Sequence, residues 1–288
     1  MIEPLPLEAL PPLPPLRLAV VGHVEVVSFV RVAHLPRSGE ILHALGHEQL
    51  PAGGGAVVAV QMARLTGRPV AFFTALGRDR EGERARQDLE DLGLEVKVAW
   101  RDAPTRRAVT FTEATGERTI TVIGERLAPG ADDDLAWERF PGCDGVFVTA
   151  ADAPLLRRAR AARVLAATPR LRLAVLQEAG VALDALIGSG NDPGEAWRQE
   201  DLPVSPLWGI RTDGSRGGQV SPGGRFAAVA GPERVGDTYG AGDSFAAGVT
   251  VGLAAGWPLG QALSLGCHCG AACVAGFGPY ATQLRLAA

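Results

Sequence analysis

The sequence predicts an α/β protein with a mostly parallel central sheet, helices on both of its faces, and a small β-sheet lid. Two observations predict this class. From residue 144 onward, short apolar runs alternate with helical segments, which favours a parallel sheet covered on both sides. Earlier in the chain, two polar hairpins interrupt that alternation, and we expect them to form a second sheet over the site.

In the N-terminal half, apolar runs bounded by turn residues predict strands at 17–21, 25–32, 41–50, 70–75, 107–112 and 118–123. Helices are predicted at 56–65 and 79–92, because both runs end at a glycine, Gly67 or Gly93. In the C-terminal half the same reasoning predicts strands at 145–149, 171–176 and 207–211, and helices at 153–167, 181–186, 241–256 and 259–276.

The length of 288 residues fits one large α/β domain with a small appendage, or two modest domains. We assign residues 1–16 to an extended Pro-rich tail and residues 17–288 to one domain. The lid strands fall within about 24–50 and 105–123 of that domain.

The composition excludes several classes of protein. The net charge of −4 gives no electrostatic reason to expect nucleic acid or an anionic membrane as partner. No apolar run reaches the roughly 18 residues of a membrane span, and the N-terminus lacks a signal-peptide pattern. Lys97 is the only lysine, which excludes a Gly-Lys-Ser/Thr phosphate loop. We therefore expect a cytoplasmic protein that binds small molecules.

The segment most suited to chemistry is residues 237–248, Asp-Thr-Tyr-Gly-Ala-Gly-Asp-Ser-Phe-Ala-Ala-Gly. Its glycines predict a tight turn that opens into a helix, whose first N–H groups and dipole form a site for an anion such as phosphate. Asp243 in that first turn brings a potential base to the same place. Alternatively, an aspartate there merely complements the helix dipole, and a Gly-x-Gly alone is a weak fingerprint.

The whole segment resembles the C-terminal signature of the PfkB/ribokinase family of carbohydrate kinases, Asp-Thr-x-Gly-Ala-Gly-Asp. Further short matches occur in the family's order, at 53–56 (Gly-Gly-Gly-Ala), 76–79 (Leu-Gly-Arg-Asp), 116–119 (Gly-Glu-Arg-Thr) and 212–218 (Thr-Asp-Gly-Ser-Arg-Gly-Gly). The resemblance extends from about residue 17 onward and implies a ribokinase-like fold.

The resemblance also implies roles for individual residues. Asp243 would be the base that accepts the proton of the substrate hydroxyl, and the backbone N–H groups of Ala241, Gly242 and Asp243, in the turn that begins at Gly240, would hold the charge of the moving phosphoryl group. The same resemblance implies that ATP is bound by Thr212, Gly214 and Gly217, and that the substrate is bound by Gly53 and Gly54. It places a monovalent cation, such as K⁺, at Asp237 and the Tyr239 carbonyl, with the carbonyls of Cys273, Gly276 and Gly278 nearby.

The magnesium-linked Asn-x-x-Glu block of the family is represented by Asp192-Pro193-Gly194-Glu195. Asp192 and Glu195 would support Mg²⁺ there. An N-cap at Asp192, with Pro193 at the first helical position, fits the same residues equally well. Both interpretations can hold at once.

The acceptor pocket departs from the family. Glu25 and Val27 replace an Asn and an Asp, and Val58 replaces an Asn that follows the Gly-Gly motif. We therefore expect the acceptor not to be held as ribose is. Glu25 would bind one or two hydroxyls, or it is simply a solvated strand residue.

Arginines on the lid hairpin extend the acceptor question. Arg106 or Arg107 would suit a carboxylate, as in a sugar acid, although hairpin arginines are more often solvated. The cysteines near residue 270, Cys267, Cys269 and Cys273, are expected to be packed thiols, because two of them would point to different helix faces.

We predict an ATP-dependent kinase that phosphorylates a hydroxyl of a small sugar or sugar acid. The alternatives are a nucleoside kinase of the same fold, since Val27 and Val58 would suit a base ring, and a catalytically silent sugar- or nucleotide-binding protein. Apolar residues in strand 24–32 also predict a homodimer through the lid sheet.

Overall fold

The computed structural model describes residues 1–113 and 115–286. Its strands are β1 (Leu18–Val21), β2 (Glu25–Arg31), β3 (Gly46–Ala52), β4 (Val70–Gly77), β5 (Leu94–Arg101), β6 (Arg107–Thr112), β7 (Arg118–Ile123), β8 (Gly145–Val148), β9 (Val164–Ala167), β10 (Ala185–Ser189), β11 (Trp208–Thr212), β12 (Gly218–Ser221) and β13 (Gly224–Phe226). Its α-helices are α1 (Gly54–Thr66), α2 (Arg80–Asp91), α3 (Ala153–Ala159), α4 (Leu173–Ala179), α5 (Ala241–Ala254) and α6 (Leu259–Cys273).

Nine strands form the central sheet, in the order β13-β12-β11-β10-β9-β8-β1-β4-β5. The strands from β11 to β5 run parallel, and β12 and β13 add an antiparallel edge. Ligands of open parallel sheets bind outside the carboxyl ends of the strands. The loops after β1, β9, β10 and β11 are therefore the part of this sheet where a site is expected.

Alternate residues of β1 show that helices cover both faces of the sheet. Leu18 and Val20 pack into one apolar cluster with residues of α1, α2, α5 and α6. Ala19 and Val21 pack into a second cluster with residues of α3 and α4. The strands are buried on both sides, which is why they read as continuous apolar runs rather than as alternating ones.

The lid is a separate sheet of four strands in the order β3-β2-β6-β7. The two predicted hairpins, β2–β3 and β6–β7, join through a parallel pairing of β2 with β6. This confirms the predicted second sheet. The turn of the second hairpin includes residue 114, which lies outside the described residues.

Three predicted elements in the C-terminal half are wrong. The predicted helix at 153–167 is α3 followed by strand β9, the predicted strand at 171–176 lies in helix α4, and the predicted helix at 181–186 runs into strand β10. Short apolar runs do not distinguish a buried strand from a helix by periodicity, so one error shifted the next two elements. In the N-terminal half β5 was not predicted, and β3 begins later than expected because Ile41 is exposed in a loop.

The reason given for a dimer is also wrong. Val24, Val26, Val27, Phe29 and Val32 are buried within the protein, because β2 is a central strand of the lid. A homodimer through the lid stays a prediction, for which the exposed apolar residues lie instead on β7, as Ile120, Val122 and Ile123.

The terminal segments pack against the core. In the tail, the Leu5 N–H donates to Ser264 Oγ of α6 over 2.9 Å, and Ile2 pairs with Phe226 of β13.

The predicted burial of Cys267, Cys269 and Cys273 is confirmed, and all three are free thiols. Among the described residues, no helix has both the length and the apolar character needed to cross a bilayer.

Candidate active site

The site is organised by the N-terminus of α5, where the sequence predicted a turn opening into a helix. Gly240 has φ +80°, a left-handed conformation that strains residues with a side chain, and it precedes Ala241 at the first helical position. The first backbone bond of the helix runs from the Ser244 N–H to the Gly240 carbonyl over 2.8 Å. Asp243 thus lies in the first turn, where its carboxylate is closest to the exposed N–H groups.

Not all of the predicted N–H donors are available. The Ala241 N–H makes a long bond of 3.4 Å to the Thr238 carbonyl. The N–H groups of Gly242 and Asp243 precede the first intrahelical bond, so they are the donors left for an anion. A Cβ placed on Gly242 would meet no atom of the described residues within 4 Å. The protein's own packing therefore does not require a glycine at 242, and the open space faces a cavity.

Asp243 lies in the wall of one cavity, with its carboxyl largely withdrawn from water. Burial raises the pKa of this carboxyl to about 6, while Arg170 opposes that shift and Glu195 adds to it. The side chain remains partly exposed to the cavity, so water still solvates one side of it. A carboxyl with a pKa in this range is ionised near neutral pH and is a better proton acceptor than an ordinary aspartate.

A cavity of about 510 Å³ lies in front of α5, at the carboxyl ends of β9, β10 and β11. Asp243, Gly242 and Gly240 line it from one side. Thr212 and Gly214 line it from the loop after β11, as the sequence predicted. These positions give the cavity the shape of a cleft between a helix N-terminus and a glycine-containing loop.

Gly217 does not line this cavity. Its φ of +84° and the close approach of the Phe226 carbonyl, 2.1 Å from where a Cβ would be, explain the glycine by backbone geometry instead. The prediction that Gly217 contacts the nucleotide is therefore not supported by its position. It positions the β11–β12 turn that carries Thr212 and Gly214.

Asp192 and Glu195 line the same cavity and share one cation. Arg170 pairs with both carboxylates, with 2.5 Å between its Nε and Glu195 Oε1. The second Glu195 oxygen accepts the Ser189 N–H over 2.7 Å, and Asp192 accepts the Gly194 N–H over 2.8 Å. The N-cap interpretation of Asp192 is thus realised, and both carboxylates still face the cleft.

On the opposite side of Asp243, Glu25 is buried and is not the solvated strand residue considered above. Its Oε1 accepts a hydrogen bond from the Tyr239 hydroxyl over 3.2 Å. Its Oε2 lies 3.0 Å from Arg106 Nε, but neither of these two atoms makes a well-aligned hydrogen bond. The ion pair therefore leaves directional bonding capacity on a buried carboxylate, which is what a hydroxyl-bearing ligand needs.

Gly53 and Gly54 form the floor between Glu25 and Asp243. The Gly53 N–H donates to the Tyr239 hydroxyl over 3.1 Å, and a Cβ on Gly54 would lie 2.9 Å from Asp243 Oδ1. The His23 ring contacts both glycines. Burial, with help from Arg126 and Arg106, lowers the pKa of His23 well below its usual value, so the imidazole is neutral.

Two other acceptor-side predictions change. Arg107 is exposed and lies near Asp79, away from Glu25, so Arg106 and not Arg107 reaches the pocket. Val27 and Val58 are fully buried in the apolar core, where they offer no surface for a base ring.

The loop predicted to hold a monovalent cation is assembled. Asp237 is fully buried and accepts the N–H groups of Tyr239 and Gly278 over 2.9 and 3.3 Å. The Cys273 thiol donates to the Tyr239 carbonyl over 3.4 Å, and the Gly276 carbonyl lies against Gly236. These bonds satisfy Asp237 without a cation, so the arrangement also stabilises the turn before α5.

Sequence reasoning missed several residues at the site. His23, Arg126 and Arg170 come from loops or strand ends that carry no motif of their own, and Arg118 lies in the matched segment 116–119 but was given no role. Arg118 of β7 lines the cleft and bonds Thr238, which connects the lid to the turn before α5. His23 and Arg170 could have been found from their positions, because each follows a parallel strand, where ligand-binding residues are expected.

The sequence matches the family described as pfkB family carbohydrate kinase over residues 16–186 and 208–284. It is 30% identical to a ribokinase of Arabidopsis thaliana over 134 residues, 43% of this chain and 35% of that protein. The aligned segment spans about a third of that relative.

Solved structures show the fold. The structure of Arabidopsis thaliana ribokinase complexed with ribose and ATP superposes with a TM-score of 0.73 at 21% identity, covering 94% of this chain and 96% of that one. A microbiome-derived acarbose kinase superposes with a TM-score of 0.75 at 22% identity, with the same coverage of 94% and 96%. The predicted ribokinase-like fold is confirmed.

Proposed function

Because the chain belongs to the pfkB family of carbohydrate kinases, we propose that it transfers the terminal phosphoryl group of ATP to a hydroxyl of a small sugar or sugar acid. One observation carries this proposal. Asp243 lines a cleft bordered by glycine-containing loops, and on its other side a Cβ on Gly54 would lie only 2.9 Å from its Oδ1, next to Gly53 and Glu25. A base placed between an anion site and a hydroxyl-binding pocket is the arrangement that phosphoryl transfer requires.

In the proposed reaction, Asp243 accepts the proton of the acceptor hydroxyl while that oxygen attacks the γ-phosphorus of ATP. The bond from the γ-phosphorus to the β–γ bridging oxygen breaks, and ADP leaves. The N–H groups of Gly242 and Asp243 stabilise the charge on the transferred group. A positioned base contributes roughly 10²–10⁴-fold to such a rate, and fixed donors a comparable factor.

Cations would assist at two places. Bound Mg²⁺ neutralises phosphate charge, and Asp192 and Glu195 are oxygen donors of the kind it prefers. Each of their oxygens accepts one hydrogen bond or ion pair and keeps a second lone pair. A monovalent cation such as K⁺ would be held by Asp237 and the carbonyls of Tyr239, Gly276 and Gly278.

The acceptor is proposed to bind through Glu25 and the Gly53–Gly54 floor. Glu25 Oε2 and Arg106 Nε are the buried polar atoms with unused bonding capacity there, which supports an acceptor rich in hydroxyls. The buried positions of Val27 and Val58 remove the specific reason for a nucleoside. We keep nucleosides as one arm of the test rather than as a second proposal.

The experiment is a panel that measures ADP release with Mg·ATP and about fifty acceptors, spanning neutral sugars, sugar acids and nucleosides. We expect at least one sugar or sugar acid to raise ADP release well above the ATP-only background. Stimulation by nucleosides alone would replace the proposed acceptor class. No stimulation by any acceptor would favour the catalytically silent binding protein.

A further inference from the structure

A second cavity lies beside the acceptor pocket and is lined almost entirely by arginine. Its volume is about 690 Å³, and its lining consists of Arg106, Glu125, Arg126, Arg170, Arg172 and Gly194. Two of these residues tie it to the site already described. Arg106 pairs with Glu25, and Arg170 also lines the cleft that contains Asp243. The arginine-lined cavity therefore adjoins both Glu25 and the cleft that contains Asp243.

The four arginines are not equivalent. Glu25 neutralises Arg106, and Asp192 and Glu195 neutralise Arg170. Arg126 and Arg172 form no ion pair within 4.0 Å to any acidic side chain in residues 1–113 and 115–286. Glu125 lines the same cavity and also forms no ion pair within that part of the chain. The cavity therefore contains one carboxylate, Glu125, and two guanidinium groups, Arg126 and Arg172, that lack acidic partners.

Arg126 is held in place although it lacks an acidic partner. Its Nη1 donates to the Arg170 carbonyl over 2.8 Å, and its side chain is partly buried. Burial and the neighbouring Arg106 and Arg170 lower the pKa of Arg126, while Glu25 partly opposes that shift. A partly buried, fixed guanidinium among like charges is costly unless an anion completes the arrangement.

The backbone at Arg172 adds a second observation. Arg172 has φ +84° and is the only non-glycine residue with positive φ in the described part of the chain. For a long side chain this conformation is unfavourable and is found mainly where function or packing requires it. Its backbone joins the 3₁₀ turn at 169–171 to the N-terminus of α4, and this turn directs the exposed side chain into the cavity wall.

From this geometry we propose that the acceptor carries an anionic group, a carboxylate or a phosphate, that binds between Arg126 and Arg172 while its reacting hydroxyl faces Asp243. This inference rests on the proposed kinase function for the identity of the acceptor. The planar fork of arginine binds two oxygens of either anion at once, so both groups fit the same pair of side chains. A neutral sugar leaves Arg126 without a partner and binds more weakly.

The test measures anion binding directly by calorimetry on protein saturated with a non-hydrolysable ATP analogue, which occupies the nucleotide phosphate sites. The probes are inorganic phosphate and D-gluconate, with D-glucitol as the neutral counterpart. Wild type is expected to bind at least one anion and to bind D-glucitol at least tenfold more weakly. Arg126→Gln is expected to weaken anion binding at least tenfold.

Arg84→Gln is the matched control, because Arg84 is an exposed arginine of α2 and its loss changes the net charge equally. Its anion affinity is expected to equal that of wild type. If Arg126→Gln does not fold, Arg172→Gln replaces it, since that side chain is exposed. Gluconate without phosphate binding assigns a carboxylate, and the reverse assigns a phosphate.

Equal anion affinity in wild type and Arg126→Gln, or no anion binding to the nucleotide-loaded protein, overturns the inference. Failure of the kinase proposal is distinguishable. Anion binding that depends on Arg126 without turnover of any acceptor retains the subsite and rejects the kinase. Turnover of neutral acceptors that is unchanged by Arg126→Gln retains the kinase and rejects the subsite.

Discussion

The proposed nucleotide side and the proposed acceptor side of Asp243 differ in the groups that would contact the ligand. On the nucleotide side, backbone forms the anion site: the turn at Gly240, the open N–H groups of Gly242 and Asp243, and the loop at Gly214, with charged side chains such as Arg170 around it. The acceptor side consists of charged side chains, including Glu25 and the arginines, contributed by separate loops and strands. Backbone donors bind any phosphate, whereas side chains distinguish one acceptor from another. The contrast teaches that the chemistry and its specificity are separable in this chain.

The largest effect expected from changing only one side concerns turnover, and it comes from a substitution on the nucleotide side. Gly242→Ala places a methyl group in the cleft without touching the protein, because a Cβ there has open space. We expect turnover to fall by about 100-fold, as when a donor of an anion site is lost, with little change in melting temperature. Steady-state kinetics and thermal denaturation on the same preparation check both halves of the prediction.

Gly240→Ala is the contrasting variant. An alanine at 240 would have to adopt φ +80°, and its Cβ would lie 3.0 Å from the Val57 side chain. We therefore expect a clear loss of stability. If Gly242→Ala were destabilised as much as Gly240→Ala, the assignment of Gly242 to ligand space would be wrong.

A smaller effect is expected on the acceptor side. Tyr239→Phe removes the hydroxyl that donates to Glu25 and accepts from Gly53, leaving buried polar atoms without that partner. Such a loss costs about 1–3 kcal/mol, so we expect the acceptor KM to rise by about tenfold or more while the KM for ATP stays unchanged.

Tyr280→Phe is the matched control. Tyr280 is also buried, and its hydroxyl donates to the Pro51 carbonyl over 2.7 Å and not to Glu25. It is expected to lose stability without changing the acceptor KM. An equal change in the acceptor KM in both variants would mean that Tyr239 acts only through folding.

The pH dependence concerns the group where the two sides meet. The pKa of Asp243 is raised to about 6, and only the ionised carboxylate accepts a proton. We expect kcat/KM to fall about tenfold per pH unit below about 6 and to be level above it, as far as ATP ionisation allows. A profile level down to pH 4.5 would show that no carboxyl with a raised pKa is required.

The same shift predicts the smallest effect, on stability. A raised folded-state pKa means that the folded protein binds the proton more tightly, so the contribution of Asp243 to stability falls as pH rises from about 4 to about 6. Replacing the carboxylate with Asn removes this penalty. Since the group is partly exposed, we expect a gain of about 1–2 kcal/mol at pH 7 and none at pH 4, by chemical denaturation. An equal gain in stability at pH 7 and pH 4 would mean that the gain does not depend on ionisation of Asp243.

The two sides also differed in how far the sequence predicted them. The turn and helix at 237–248 were predicted because the glycines, the carboxylate and the helix formers are contiguous. One segment of the sequence therefore determines the local structure. Thr212 and Gly214 followed from a second contiguous segment. The cause of the glycine at 217 was not predicted, because that cause is a contact with Phe226, which is distant in the sequence and is brought close only by strand pairing.

The acceptor side was predicted only in part. Glu25 was found because it replaces a family residue, and Arg106 was named only together with Arg107, since the sequence did not show which of the two neighbours faces Glu25. Arg170 and Arg172 were missed because the helix predicted at 153–167 and the strand predicted at 171–176 hid the loop after β9. That loop follows a parallel strand, where ligand-binding residues are expected.

The most direct test of the account is Asp243→Asn, with ATP-analogue affinity and turnover measured on one preparation. The two side chains are nearly equal in size, so we expect nucleotide affinity within a few-fold of wild type and turnover lower by at least 100-fold with the best acceptor. Turnover within a few-fold of wild type would contradict the claim that this carboxylate removes the acceptor's proton.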